Sequence, residues 1–195
     1  MNRTIAAALA IVLAGALGVT IAFASHAGVR DGNDTKGTMD VSLVDRHGST
    51  RPRWSVRTFA SWRAIDIFDS GFALVRLDTF GSRRFDYYAL VRSNGNELRA
   101  TLWRDRKEKR DHLMRRLAVW RNDRRSLSVR VPLSRVRIGD LRLTYRWQVE
   151  TLYTGDVCPN VCFDFVPDSG GMEEMVPFPR PTETPSPTPS PSESD

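Results

Sequence analysis

Cysteine is nearly absent from this chain, with two in 195 residues. That excludes a disulfide-rich scaffold and an all-cysteine zinc site. Histidine is almost as scarce: His26, His47 and His112 are the three present. A nucleophilic centre needs a base held within reach of the nucleophile. The chain shows no GxSxG, HExxH, P-loop or Rossmann glycine pattern to supply one. The expectation is therefore a non-catalytic protein, not an enzyme, with no cofactor. Lysine is also rare. Lys36, Lys107 and Lys109 stand against 26 arginines, a skew that reads as genome composition more than chemistry. No internal repeat of 20–50 residues is present.

What is present divides into unlike segments. The length, 195 residues and 22.1 kDa, suits one domain with extensions. Residues 1–40 carry three basic and three acidic side chains, 41–156 carry 25 against 13, and 157–195 carry one against seven. A basic body is thus followed by an acidic tail.

The one long apolar run lies at the N-terminus. Arg3 precedes 21 uncharged residues, Thr4 to Ala24, which end on Ala22-Phe23-Ala24, a small-x-small cleavage pattern. Residues 1–24 are expected to be a secretory signal peptide. The alternative is an uncleaved anchor, since 21 helical residues reach about 31 Å. Both readings place the body outside the cytoplasm, at the cell envelope or beyond it, with secretion favoured. Residues 25–39 read as a linker. At the other end, 14 of the 19 residues in 177–195 are Pro, Ser or Thr. Such a segment favours extended polyproline II and builds no core. Residues 171–195 are expected to be a disordered tail.

Between residues 40 and 170 the apolar pattern has period 2. Val41 and Leu43, Trp54 and Val56, the run FALVRL at 72–77, and Phe85, Tyr87, Ala89 and Val91 each read as one strand. Leu98, Ala100 and Leu102 follow, then Leu117 and Val119, then Leu127, Val129 and Val131, then Leu143, Tyr145, Trp147 and Val149. Asn94-Gly95 is the strongest hairpin signal, because both residues tolerate positive φ. The expected fold is an all-β antiparallel sandwich of about eight strands, jelly-roll or Ig-like.

The string 31–48, DGNDTKGTMDVSLVDRHG, is similar to the opening of family 9 carbohydrate-binding modules and DOMON-like domains. Val56-Arg57-Thr58, the loop Asp78 to Asp86, and Cys158 to Gly170 follow in the order found in secreted actinobacterial β-sandwich domains of unknown function, which the chain resembles more closely. In that pattern the loop is an Asp-rich DxDGD. Here Phe80 and Ser82 replace two of its polar places. Asp78 and Asp86 remain as candidate calcium ligands, and an ordinary polar turn is the favoured expectation.

Outside the cell, Cys158 and Cys162 are expected to form a local disulfide that pins the exit of the last strand. Arg104–Arg125 is the strongest charge feature, with ten Lys/Arg and four Asp/Glu in 22 residues. Arg104, Arg106, Lys107, Lys109, Arg110, Arg115 and Arg116 are its candidate ligand-binding residues. In an exported protein the matching partner is an anionic wall polymer, a polysaccharide or a membrane surface rather than nucleic acid. Trp54 and Trp147 alternate with core valines and read as interior. Trp62 and Trp103 are the candidate sugar-stacking residues. The functional expectation is a binding or adhesion module of the envelope. The alternative is a structural accessory protein with no small ligand.

Overall fold

The computed structural model describes residues 26–138 and 143–176. The signal or anchor segment and the Pro-rich stretch 177–195 lie outside the described residues. No helix among the described residues is long and apolar enough to cross a membrane.

The described residues form eleven strands: β1 His26–Arg30, β2 Val41–His47, β3 Arg53–Thr58, β4 Gly71–Asp78, β5 Tyr87–Ser93, β6 Leu98–Arg104, β7 His112–Trp120, β8 Ser126–Arg130, β9 Thr144–Gly155, β10 Cys158–Val166 and β11 Met172–Met175. All pairings are antiparallel, in the order β1-β2-β3-β8-β7-β6-β5-β4-β9-β10, with β11 also on β9. The all-β expectation holds. The sandwich of about eight strands is corrected to a single sheet that curls nearly closed into a barrel.

The reason lies in β7. Leu113–Leu117 pair with β6, and Ala118–Trp120 pair with β8. One strand therefore serves both halves and leaves no break between two sheets. A register shift at Leu102/Trp103 marks where the ladder bends. The eight expected runs correspond to β2–β9. The three additional strands lie outside those eight runs. β1 lies in the expected linker, β10 begins at the first cysteine and contains both, and β11 lies in the expected tail.

Alternation then fills the interior. Ala73, Val75 and Leu77 of β4 are buried, as are Tyr87, Ala89 and Val91 of β5. Trp54 of β3 and Trp147 of β9 meet across the barrel, edge to face, with centroids 6.3 Å apart at 74°. Aromatic pairs favour this geometry. One phase differs from the sequence pattern. A register shift between Val41 and Leu43 turns Val44 inward in place of Leu43. It also buries Arg46, which is 2% exposed.

Two nitrogens of that guanidinium find partners inside, while Nε is buried without one. Arg46 Nη2 donates to the Tyr145 hydroxyl at 2.8 Å, and Nη1 lies 3.5 Å from Glu174 Oε2 of β11. Burial pushes the Tyr145 phenol up to about 12. β11 is thus tied to the barrel by backbone pairing to β9 and by a buried ion pair to β2.

At the margins of the sheet, β2 and β10 approach each other at a seam. The loop 31–40 lies over it. Thr35 Oγ1 donates to the Phe163 carbonyl at 3.1 Å, the Val41 N–H donates to Asp164 Oδ2 at 2.6 Å, and Thr151 Oγ1 donates to the Met39 carbonyl at 2.7 Å. Gly37 makes the close approach possible. Its φ is +107°, and a Cβ there would sit 2.6 Å from the Tyr153 ring.

Candidate functional site

The hairpin β6–β7 carries the basic cluster because its strands run past the packed interior. His112–Arg116 are all exposed. The tip, residues 105–111, is held by its acids. Asp111 Oδ2 accepts the Tyr88 hydroxyl at 2.8 Å, and Asp111 Oδ1 accepts the Arg106 N–H at 3.3 Å. Burial, then the bond to Asp111, raises the Tyr88 pKa and keeps the phenol protonated. The Asp105 N–H donates to the Asp86 carbonyl at 2.8 Å, which ties the tip to the loop after β4. Arg84 of that loop pairs with Asp105 at 2.7 Å.

Between the two loops lies an open pocket of ≈ 560 Å³. Arg84, Arg104, Arg106, Lys107 and Lys109 supply its cations; Asp86, Asp105 and Glu108 are the acids on its wall. Arg106, Lys107, Lys109 and Arg110 are exposed and join no ion pair among the described residues. Their charge is therefore available to an outside anion. An adjoining pocket of ≈ 410 Å³ adds Arg76, Arg83, Phe85 and Tyr88.

The seven residues singled out in the sequence do not all meet. Arg104, Arg106, Lys107 and Lys109 line the pocket, with Arg110 beside them at the tip. Arg115 and Arg116 are successive residues of β7, so they point to opposite faces. Arg116 lines a separate groove with Arg99, Leu113 and Leu117. In exchange the fold brings in Arg83 and Arg84, which sequence reasoning passed over. Their signal was the adjacent Arg83-Arg84 pair inside the 78–86 loop, which was weighed only for its acidic residues.

The aromatic candidates divide. Trp62 is 2% exposed, and the Arg121 guanidinium stands 3.8 Å over its ring. Its Nε1 donates to Thr58 Oγ1 at 3.1 Å. The expectation of a sugar platform at Trp62 is corrected, because neither ring face is open. Trp103 does lie on the face opposite Leu102, and is half-buried. It stacks on its cross-strand partner Tyr88 with centroids 6.3 Å apart at 7°.

Asp78 and Asp86 organise their own loop. Asp78 Oδ1 accepts the Gly81 N–H at 2.6 Å, and Oδ2 lies 3.1 Å from Arg146 Nη2. Asp86 Oδ2 accepts the N–H groups of Thr79 at 2.9 Å and Phe80 at 3.2 Å. Both carboxylates have partners within the protein. Cys158 and Cys162 are joined, with Cα atoms 6.0 Å apart. The bridge spans a bulge at the start of β10, beside the β9 turn, and not the exit of the last strand.

One cluster escaped the sequence reading. At the seam, carboxylate oxygens of Asp31, Asp34 and Asp168 all lie within 4.8 Å of one another. Beneath them Asp40 is 3% exposed and Asp164 4%. Asp40 Oδ1 and Asp31 Oδ2 are buried without a hydrogen-bond partner. Burial, then the Asp34 charge, pushes the Asp40 carboxyl up to about 6. Burial likewise pushes Asp164 up to about 7, with the charges of Asp31 and Asp40 adding to it and the Val41 N–H opposing it.

No protein-family profile, curated protein or solved structure matches this chain.

Proposed function

We propose that this protein is a non-catalytic module of the cell envelope that binds an anionic polymer through the β6–β7 hairpin. The observation that carries the reading is the open pocket between that hairpin and the 78–86 loop, with its exposed, unpaired cations. Such a surface attracts polyanions through charge and counterion release, with no demand for a unique docking geometry. Export is supported by the apolar N-terminal run and by the disulfide, which persists in oxidising compartments. A saccharide bound by stacking is less favoured, because Trp62 is interior and one face of Trp103 is engaged by Tyr88.

The test is co-sedimentation of the full chain with purified anionic wall polymer and, separately, with a neutral polysaccharide, at low and high salt. With four cations engaged, affinity for the polyanion should fall about 50-fold between 50 and 200 mM salt, taking the single-strand slope. Binding to neither polymer at low salt, or salt-independent binding, overturns the reading. A chain ending at residue 176 should bind more tightly, since 177–195 carries three acids against Arg180. The cut cannot start at 172, because Met172–Met175 is strand β11.

A further inference from the structure

The acidic seam is independent of the basic hairpin and calls for a different ligand. We infer that it is a divalent-cation site of the calcium class, with Asp31, Asp34 and Asp168 as ligands and the buried, unpaired Asp40 of the same loop as a further acidic group.

Geometry comes first. Calcium–oxygen distances of about 2.4 Å allow two oxygens on one ion to be up to about 4.8 Å apart. The three outer carboxylates meet that limit pairwise. The second observation is independent of the cluster itself. Asp40 is 97% removed from solvent by its 3% exposure, yet its Oδ1 has no donor. Buried carboxylates are ordinarily paired or metal-bound. Asp40 closes the same loop, residues 31–40, that carries Asp31 and Asp34.

Counter-charge is also missing. The chain carries 29 Lys and Arg, but none forms an ion pair with Asp31, Asp34, Asp40, Asp164 or Asp168 among the described residues. In a protein with this excess of cations, an unpaired acidic cluster is left open to an external one. The donors are all hard oxygens with no His or Cys, which selects calcium or magnesium over zinc and copper. Magnesium demands tight octahedral geometry and keeps its waters, whereas calcium accepts several carboxylates from an irregular loop. Asp164 lies beside Asp31 and is fixed by the Val41 N–H, so it positions the inner wall.

The ion would join residues 31–40 to the segment after β10, across the margins of the curled sheet. Occupancy should therefore stabilise the fold by mass action. At a calcium concentration 100 times Kd the folded-to-unfolded ratio rises about 100-fold.

The experiment is calorimetric titration of the EGTA-stripped full chain with CaCl2, and separately with MgCl2, in buffered NaCl. One saturable calcium site with a Kd of about 1 mM or tighter is expected, the range of extracellular modules, with magnesium at least tenfold weaker. Asp34→Asn and Asp168→Asn change exposed side chains, so both should fold normally in EGTA. Each should weaken calcium at least tenfold and reduce the calcium-induced rise in melting temperature. No saturable heat up to about 10 mM calcium overturns the inference. So does calcium affinity unchanged in both variants, or magnesium binding as tightly as calcium. Sedimentation with the polyanion is read without calcium, so failure there leaves this site untouched, and the reverse also holds.

Discussion

The basic hairpin and the acidic seam both crowd charges of one sign, and they do it in opposite ways. At the hairpin the cations are neighbours in sequence and exposed, so water and salt separate them; the screening length is about 8 Å at physiological ionic strength. At the seam the acids come from residues 31–40 and 164–168, and two of them are nearly sealed from solvent. Crowding in water costs little and advertises a surface. Crowding under a loop is expensive unless something of opposite charge completes it. Burial, more than charge count, separates the two.

Arg46 isolates that variable, because it is buried and has its partner. Removing the partner should produce the largest effect on stability. Glu174→Ala leaves the guanidinium, at 2% exposure, without its counter-charge and with the Tyr145 hydroxyl alone, and breaking a buried pair this way costs about 3 kcal/mol or more. The matched control is Glu108→Ala on the exposed tip, expected within about 0.5 kcal/mol of wild type. Urea unfolding of the two variants decides it. If they lose the same stability, burial is not what divides the hairpin from the seam.

The next effect is on binding. Replacing Arg106, Lys107, Lys109 and Arg110 together by Gln should lower polyanion affinity by more than about 50-fold at low salt, flatten its salt dependence and leave the urea midpoint unchanged. The reciprocal change, Asp40→Asn, should leave polyanion affinity unchanged. In EGTA it should match or exceed wild-type stability, because it removes a buried charge with no cation beside it. With calcium present the order should reverse. A variant that moves both readouts together would show that the two regions are coupled through the barrel.

The same contrast explains what was legible in the sequence. Local features were readable: the alternation of Ala73, Val75 and Leu77, the interior placement of Trp54 and Trp147, the density of arginine at 104–116, and the Cys158–Cys162 bridge. Features assembled across distance were not. Asp31 and Asp168 are separated by most of the domain, and no spacing rule brings them together. Strand β10 was hidden because CPNVCFDFV reads as a disulfide turn and its Phe163 is exposed, so its apolar residues do not mark a buried face. The bulge at Val41/Leu43 reversed the face of β2, and a single extra residue leaves no compositional trace. Closure into a near-barrel depended on β7 pairing with both neighbours, a property of register rather than of residue type.

The smallest expected effect concerns the disulfide, and it falls on the seam side of the comparison. Cys158 and Cys162 close a five-residue loop, worth about 2 kcal/mol in the chain-entropy model. That is less than the stability of a typical domain, so the reduced protein should stay folded. Pairing resumes at the second cysteine, Cys162↔Tyr153, and continues through Phe163↔Leu152 and Asp164↔Thr151. Reduction should therefore speed amide exchange near the β9–β10 turn and leave the β4–β9 ladder protected. Asp164 follows Cys162 by two residues and fixes the inner wall of the seam. Calcium affinity should consequently fall on reduction, by less than about tenfold, or about 1.4 kcal/mol. Polyanion binding at the hairpin, reached through β4 and β5, should not change. Equal loss at both places would mean that the bridge supports the whole barrel rather than one margin of it.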